Sequence, residues 1–146
     1  MNQKELLKNF YLFTGVTADD LRTLETIVER KVYMAGDAVY SEGDAADALF
    51  LIEMGAVDIG SRGKEVAFAT IGSGQGFGEL SFFERGTRPA SASARERTYL
   101  LRIPFDRFSK VLDDRPELAL LVYRNAAKFF AKHFRGVAVD LNRRYF

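Results

Sequence analysis

The apolar and polar positions divide the chain into a helical start, a middle of short strands and a helical end. A short amphipathic helix is predicted at the start from four apolar residues, Leu6, Leu7, Phe10 and Tyr11. A turn at 14–16 follows, and Thr17 is a plausible N-cap because Asp19 and Asp20 occupy the favoured first turn of the next helix. Apolar residues then recur at helical spacing up to about Arg30, at Leu21, Leu24, Ile27 and Val28.

From Lys31 onward the spacing changes, and short β-prone runs lie at 32–34, 38–40, 49–54, 57–60 and 66–71. A glycine in each break between runs supplies the positive φ of a tight turn, at 35–37, 41–44, 54–55 and 62–64. Short strands at this even spacing indicate a small antiparallel barrel, roll or sandwich. The strand pattern resumes at Ala90 and continues to Ile103.

The C-terminal part is predicted to be helical. Pro104 ends the β region and begins a helix over 105–112, and a second start near 113–116 leads into one long helix over 117–135. Two apolar rows follow the long helix, Leu118, Leu121, Val122, Asn125 and Phe129 on one side and Leu120, Tyr123, Ala127, Phe130 and Phe134 on the other. A helix packed only on its own domain needs one stripe of roughly 100°. Two rows therefore indicate a partner on the second face, and the alternative is a helix sunk deeply into a single core.

Composition narrows the functional classes. With 146 residues, 47% of them hydrophobic, the chain suits one globular domain over 1–146 with its own core. A net charge of +1 gives none of the basic excess typical of nucleic-acid binding. The chain has no cysteine for disulfide or thiol chemistry, and its single histidine, His133, argues against a histidine metal site. No targeting signal and no run of roughly 20 apolar residues is present, so a cytoplasmic protein without a membrane segment is expected.

The segment 72–94 carries the most specific chemistry. Its glycines let backbone amides approach an anion, and a short helix start after Glu79 can offer further N–H groups. Arg88 adds a permanent positive charge in a planar fork. Glu79 is an acid within this anion-friendly loop, which fits a ligand that carries both a phosphate and a hydroxyl donor. A structural Arg88–Glu79 ion pair in a simple glycine turn is the plainer interpretation.

These motifs, taken in order, resemble the cyclic nucleotide-binding domain of catabolite-activator-type regulators, cyclic-nucleotide-dependent kinases and gated channels. The resemblance covers about Phe10 to Phe134 and is strongest in Gly76-Phe-Gly-Glu-Leu-Ser81 followed by Arg88-Pro-Ala-Ser-Ala92. Weaker parts of the pattern are 12–16, 35–44 and 49–57. The resemblance implies an α+β fold, with a jelly-roll-like antiparallel β-roll at about 31–103. Helices flank it at the N-terminus, and the C-terminal helices lie at about 105–135.

The resemblance also implies roles for individual residues. Arg88 would pair with the cyclic phosphate and Glu79 would accept the ribose 2′-hydroxyl, while Gly78, Leu80 and Ser81 would supply backbone contacts. On the long helix, Asn125 is expected to contact the base, to set a dimer seam or to be solvated. The predicted ligand-binding residues are Phe77, Gly78, Glu79, Leu80, Ser81, Arg88, Pro89 and Ala90.

One residue departs from the family pattern. Pro89 stands where the family commonly has Ala, Ser or Thr, and proline offers neither an N–H nor a hydroxyl to the phosphate. A threonine there is associated with cGMP preference, so its absence favours cAMP.

The sequence therefore predicts a non-enzymatic cyclic nucleotide sensor, with no catalytic site, metal or cofactor, that rearranges its C-terminal helix toward an effector protein or a second copy. The alternatives are a ligand-free interaction or dimerisation module and, third, a cupin-like metalloenzyme. Residues 136–146 are too few for the DNA-reading domain that follows this helix in the regulators, so none is expected in this chain.

Overall fold

The computed structural model describes residues 2–61 and 66–145. The N-terminal part of the chain is helical. Helix α1 spans Gln3–Asn9, a 3₁₀ segment spans Tyr11–Phe13, and helix α2 spans Ala18–Glu25. The predicted N-cap is confirmed, because the Thr17 hydroxyl accepts a hydrogen bond from the Asp20 N–H at 3.2 Å. The predicted end of α2 near Arg30 is wrong, because strand β1 already begins at Glu29.

Within these described residues, eight antiparallel strands form two four-stranded sheets. The first sheet has the order β1-β8-β3-β6 and the second the order β2-β7-β4-β5. The strands are β1 Glu29–Tyr33, β2 Ala38–Tyr40, β3 Ala48–Met54, β4 Ala56–Gly60, β5 Ala69–Gly72, β6 Gly76–Phe77, β7 Ser91–Ala94 and β8 Thr98–Pro104. The predicted turn at Arg62-Gly63-Lys64 lies outside the described residues.

Strand β3 connects two apolar cores because it is buried on both faces. Phe50 and Ile52 face the interior of the roll, where Val57 and Ala92 of the second sheet pack against them. Leu49 and Leu51 belong instead to the core that joins the first sheet to the helices. The predicted α+β architecture with an antiparallel β-roll is confirmed.

Helix α3, Leu80–Glu84, lies between β6 and β7, and the C-terminal helices are α4 Phe105–Asp114 and α5 Pro116–Tyr145. The predicted end of the long helix at Arg135 is wrong, because α5 continues through Gly136 to Tyr145. The two predicted apolar rows differ in burial: Leu118 and Val122 are buried in the helical core, whereas Leu120 and Phe134 are exposed. Among the helices in the described part of the chain, none has the length and apolar character needed to cross a bilayer.

Candidate functional site

A cavity of about 220 Å³ lies between the second sheet and the turn into α3. Strand β6 ends at Phe77, Gly78 turns the chain, and Glu79 stands at the N-cap of α3. The residues that line the cavity are Tyr40, Ile59, Ile71, Gly76, Phe77, Gly78, Glu79, Leu80, Ser81, Pro89 and Ala90. Most of the predicted ligand-binding residues are therefore brought to one concave surface.

Gly78 is required by the backbone at this turn. Its φ is +80°, which L-residues rarely adopt, and a Cβ at this position would lie 2.9 Å from Nη1 of Arg88. The same close approach lets the Gly78 carbonyl accept a hydrogen bond from Nη1 at 3.0 Å. The glycine therefore shapes the cavity and seats the arginine at the same time.

Arg88 is buried beside the cavity, with 2% of its surface exposed, and does not itself line it. Besides Gly78, it donates from Nη2 to the carbonyl of Ala48 at 2.5 Å, and its guanidinium lies 4.0 Å from the centre of the Tyr40 ring. Burial lowers the pKa of Arg88, but a guanidinium stays charged at any physiological pH. Its Nε is buried and finds no acceptor among the described residues. The site thus contains a buried cation with one unsatisfied donor.

Glu79 is the acid of the cavity and is 8% exposed. Its Oε1 accepts a hydrogen bond from the Tyr11 hydroxyl at 3.1 Å. Burial raises the pKa of Glu79, while a hydrogen bond to its own backbone and the one from Tyr11 act in the opposite direction. The predicted Arg88–Glu79 ion pair is not among the salt bridges of the described residues, so the two side chains have separate partners.

Tyr11 connects Glu79 to helix α5. Its ring stacks on Phe129 with centroids 4.0 Å apart and an interplanar angle of 20°. Asn125, one turn earlier on α5, donates from Nδ2 to the carbonyls of Leu12 at 2.9 Å and Thr14 at 3.0 Å. In this structure the Asn125 amide therefore holds the 3₁₀ segment and is not part of the cavity lining.

Sequence reasoning missed Tyr40, Ile59, Ile71 and Gly76 in the lining and Tyr11 behind Glu79. Ile59 and Ile71 lie on the paired strands β4 and β5, and β4 alternates around the buried Val57. A period-two reading of these strands could have placed Ile59 and Val57 on the inward face. No comparable signal marks Tyr11.

Larger open depressions elsewhere are less suited to a ligand. One of about 480 Å³ lies beside Arg102, whose guanidinium already pairs with Glu29 at 3.0 Å and with Asp47 at 3.1 Å. Within the described residues, no group of three or more histidine, aspartate or glutamate side chains is arranged to hold a metal ion.

Comparisons with known proteins bear on the family and the fold. The family model described as the cyclic nucleotide-binding domain matches residues 30–115. The chain is 30% identical over 139 residues to the cyclic AMP receptor protein of Thermus thermophilus, which covers 93% of this chain and 62% of that protein. It is 32% identical over 120 residues to glutaminase 1 of Bradyrhizobium diazoefficiens, covering 82% of this chain and 19% of that enzyme.

A solved structure gives the same fold. The N-terminal domain of a transcriptional regulator from Streptomyces coelicolor superposes with a TM-score of 0.78 at 28% identity, covering 88% of this chain and 94% of that one. The chain spans less than two thirds of the length of the curated relatives named above.

Proposed function

The chain belongs to the cyclic nucleotide-binding domain family, and we propose that it is a cytoplasmic, non-enzymatic sensor of a cyclic nucleotide, with cAMP favoured over cGMP. Residues 1–146 would act as a single sensing domain, and the ligand would occupy the cavity beside Gly78. Binding would be passed on through α5 to an effector protein or a second copy of the chain.

The observation that carries this proposal is the buried Nε of Arg88, which has no acceptor in the described part of the chain. A buried donor of this kind is costly unless it gains a partner. An anionic phosphate oxygen is the acceptor that suits a guanidinium best, because the resulting hydrogen bond is charge-assisted. The N–H groups of Leu80 and Ser81, in the first turn of α3, offer further donors to the same anion.

The rest of the cavity suits the sugar and the base. Glu79, as an ionised carboxylate, can only accept hydrogen bonds and therefore fits a ribose 2′-hydroxyl. Ile59, Ile71 and Tyr40 form an apolar wall that suits the flat face of a purine. Pro89 lines the cavity without a side-chain hydroxyl, which supports cAMP over cGMP through the family association with threonine at that position.

The second row of α5 supports a dimer. Its apolar residues alternate at spacings of three and four, which is the heptad pattern of a coiled coil. Because α5 continues past the predicted end of the helix, the row extends beyond Phe134 and comprises Leu120, Tyr123, Ala127, Phe130, Phe134, Val137 and Leu141. Phe134, Val137 and Leu141 are exposed in the monomer, so a second copy of α5 would bury them.

Calorimetry with cAMP and cGMP tests the ligand. The variant Arg88→Lys keeps the charge but cannot reproduce the guanidinium fork, so we expect cAMP affinity to fall at least about tenfold. Arg88→Ala would weaken binding more than Glu79→Ala, but it would also leave the carbonyls of Gly78 and Ala48 without their donor. Each variant therefore needs a thermal melt beside the titration.

Arg95→Lys is the matched control, because Arg95 pairs with Asp58 on the exposed surface. It should leave affinity unchanged. The sensor proposal is overturned if the folded wild-type protein binds neither nucleotide at about millimolar ligand, which corresponds to a binding free energy of roughly 4 kcal/mol. The ligand-free interaction module then remains as the function.

A further inference from the structure

We propose that Tyr11 is a positioning residue for Glu79: its hydroxyl fixes one carboxylate oxygen so that the remaining acceptor positions are directed at a ligand hydroxyl. The inference rests on the proposed function, because it assigns to Tyr11 a part in the recognition of the ribose at that same site. It concerns a residue far from the loop in sequence, since Tyr11 and Glu79 are 68 positions apart.

The hydrogen bond between Tyr11 and Glu79 has a fixed direction, because the Tyr11 hydroxyl keeps its proton. Tyr11 donates to Oε1 of Glu79 at 3.1 Å, and both burial and the nearby carboxylate raise the pKa of the Tyr11 phenol far above its usual range. The phenol therefore stays protonated and remains a donor. A carboxylate has about four lone-pair sites, so one bond from Tyr11 leaves capacity for a ligand hydroxyl.

The ring of Tyr11 is itself held firmly. It lies between Phe129, stacked at 4.0 Å, and Phe10, edge-on at 4.9 Å. The backbone that follows it is held by Asn125 through the carbonyls of Leu12 and Thr14. A donor mounted in this way restricts the carboxylate to one orientation before any ligand arrives, which is the condition for preorganised recognition.

The test compares cAMP with 2′-deoxy-cAMP, which lacks the hydroxyl that Glu79 would accept. In the variant Tyr11→Phe the ring stacking stays and only the donor is lost. We expect the preference for cAMP over 2′-deoxy-cAMP to shrink about tenfold, while the affinity for 2′-deoxy-cAMP changes by less than about twofold. A purely structural role would lower the affinity for both nucleotides equally, and that result, or an unchanged preference, would overturn the inference.

The matched control is Tyr123→Phe. Tyr123 lies on α5 with its ring edge-on to Phe83 and outside the cavity lining, so its hydroxyl should not affect the preference. Thermal melts of both variants check that the fold is retained.

A second measurement needs no ligand. An NMR titration of the Glu79 carboxyl carbon should give a higher pKa in Tyr11→Phe than in the wild type, because the ionised form loses a hydrogen bond. Tyr40, whose pKa is raised by its burial and further by Glu79, is present in both proteins and so does not account for a difference between them. An unchanged pKa of Glu79 overturns the positioning role. If the wild type binds neither nucleotide, the sensor proposal fails while this titration still decides the role of Tyr11.

Discussion

Glu79 shows at the scale of one residue how a buried acid can lower the stability of the fold. Burial raises its pKa above the ordinary value of 4.5, so the folded state binds the proton more tightly than the unfolded state does. The free energy of unfolding therefore falls as pH rises from the unfolded pKa to the folded pKa of this group. Above the folded pKa of Glu79 the folded protein therefore carries a buried charge that lowers its stability.

The variant Glu79→Gln should consequently be more stable than the wild type at neutral pH, with a melting temperature higher by on the order of a few degrees. A glutamine oxygen can still accept from Tyr11, and the buried charge is gone. The difference should disappear as pH falls through the folded pKa of Glu79, because the wild-type carboxyl then becomes neutral as well. Melting curves across this pH range check the prediction, and a wild type that is the more stable protein at neutral pH would contradict it. Affinity for cAMP should fall in the same variant.

The sequence predicted most of the cavity because those residues are close together in the chain. Phe77 to Ser81 and Pro89 to Ala90 belong to one short segment of the chain, whose glycine, acid and arginine indicate their chemistry directly. Ile59 and Ile71 reach the cavity only through the pairing of β4 with β5, which is a long-range property. The Ala48 carbonyl that Arg88 contacts is likewise 40 positions away. Such partners depend on topology and not on local pattern.

At the scale of elements, the 3₁₀ segment and α5 are joined by contacts that involve both backbone and side chains. The amide of Asn125 donates to two backbone carbonyls, and the stacked pair of Tyr11 and Phe129 lies one turn further along α5. A movement of α5 must therefore carry the 3₁₀ segment with it or break these contacts.

The variant Asn125→Ala removes both hydrogen bonds and leaves the carbonyls of Leu12 and Thr14 without that donor. We expect the free energy of unfolding to fall by about 1–3 kcal/mol. Urea denaturation measures the change. Lys128→Ala, at an exposed position on the same helix, is the control and should have a much smaller effect. Equal stability of the two variants would argue that the hydrogen bonds of Asn125 do not stabilise the fold.

Element boundaries were predicted well where a local signal fixes them and poorly where one does not. The Thr17 side chain and the acids that follow it predict the N-cap of α2, and Thr17 is that cap. Pro116 likewise marks the start of α5. The sequence predicts that the long helix ends at Arg135, before Gly136, yet a glycine inside a helix costs only about 1 kcal/mol relative to alanine. The apolar residues Val137 and Leu141 continue the heptad row beyond it, and α5 continues with them.

For the whole molecule, the exposed row of α5 leads to a prediction about assembly. Phe134 is 75% exposed, and we expect the variant Phe134→Glu to weaken or abolish a dimer, because a charge at a coiled-coil core position is costly to bury. Sedimentation of the wild type and the variant over a range of concentrations gives the dissociation constants. Lys132→Glu, on the polar side of the helix, is the control. A wild type that stays monomeric at every concentration would remove the dimer from the proposed mechanism.

The length of α5 has a mechanical consequence. The helix has 30 residues, and the part beyond Phe129 projects past the last contact with Tyr11. At 1.5 Å per residue this part is a lever arm of about 24 Å, so a rigid tilt of about 10° at Phe129 moves its far end sideways by about 4 Å, roughly half of the 8–10 Å that separate the axes of two packed helices. A small change of angle at Phe129 would therefore be large enough at Tyr145 to separate or repack two adjacent helices.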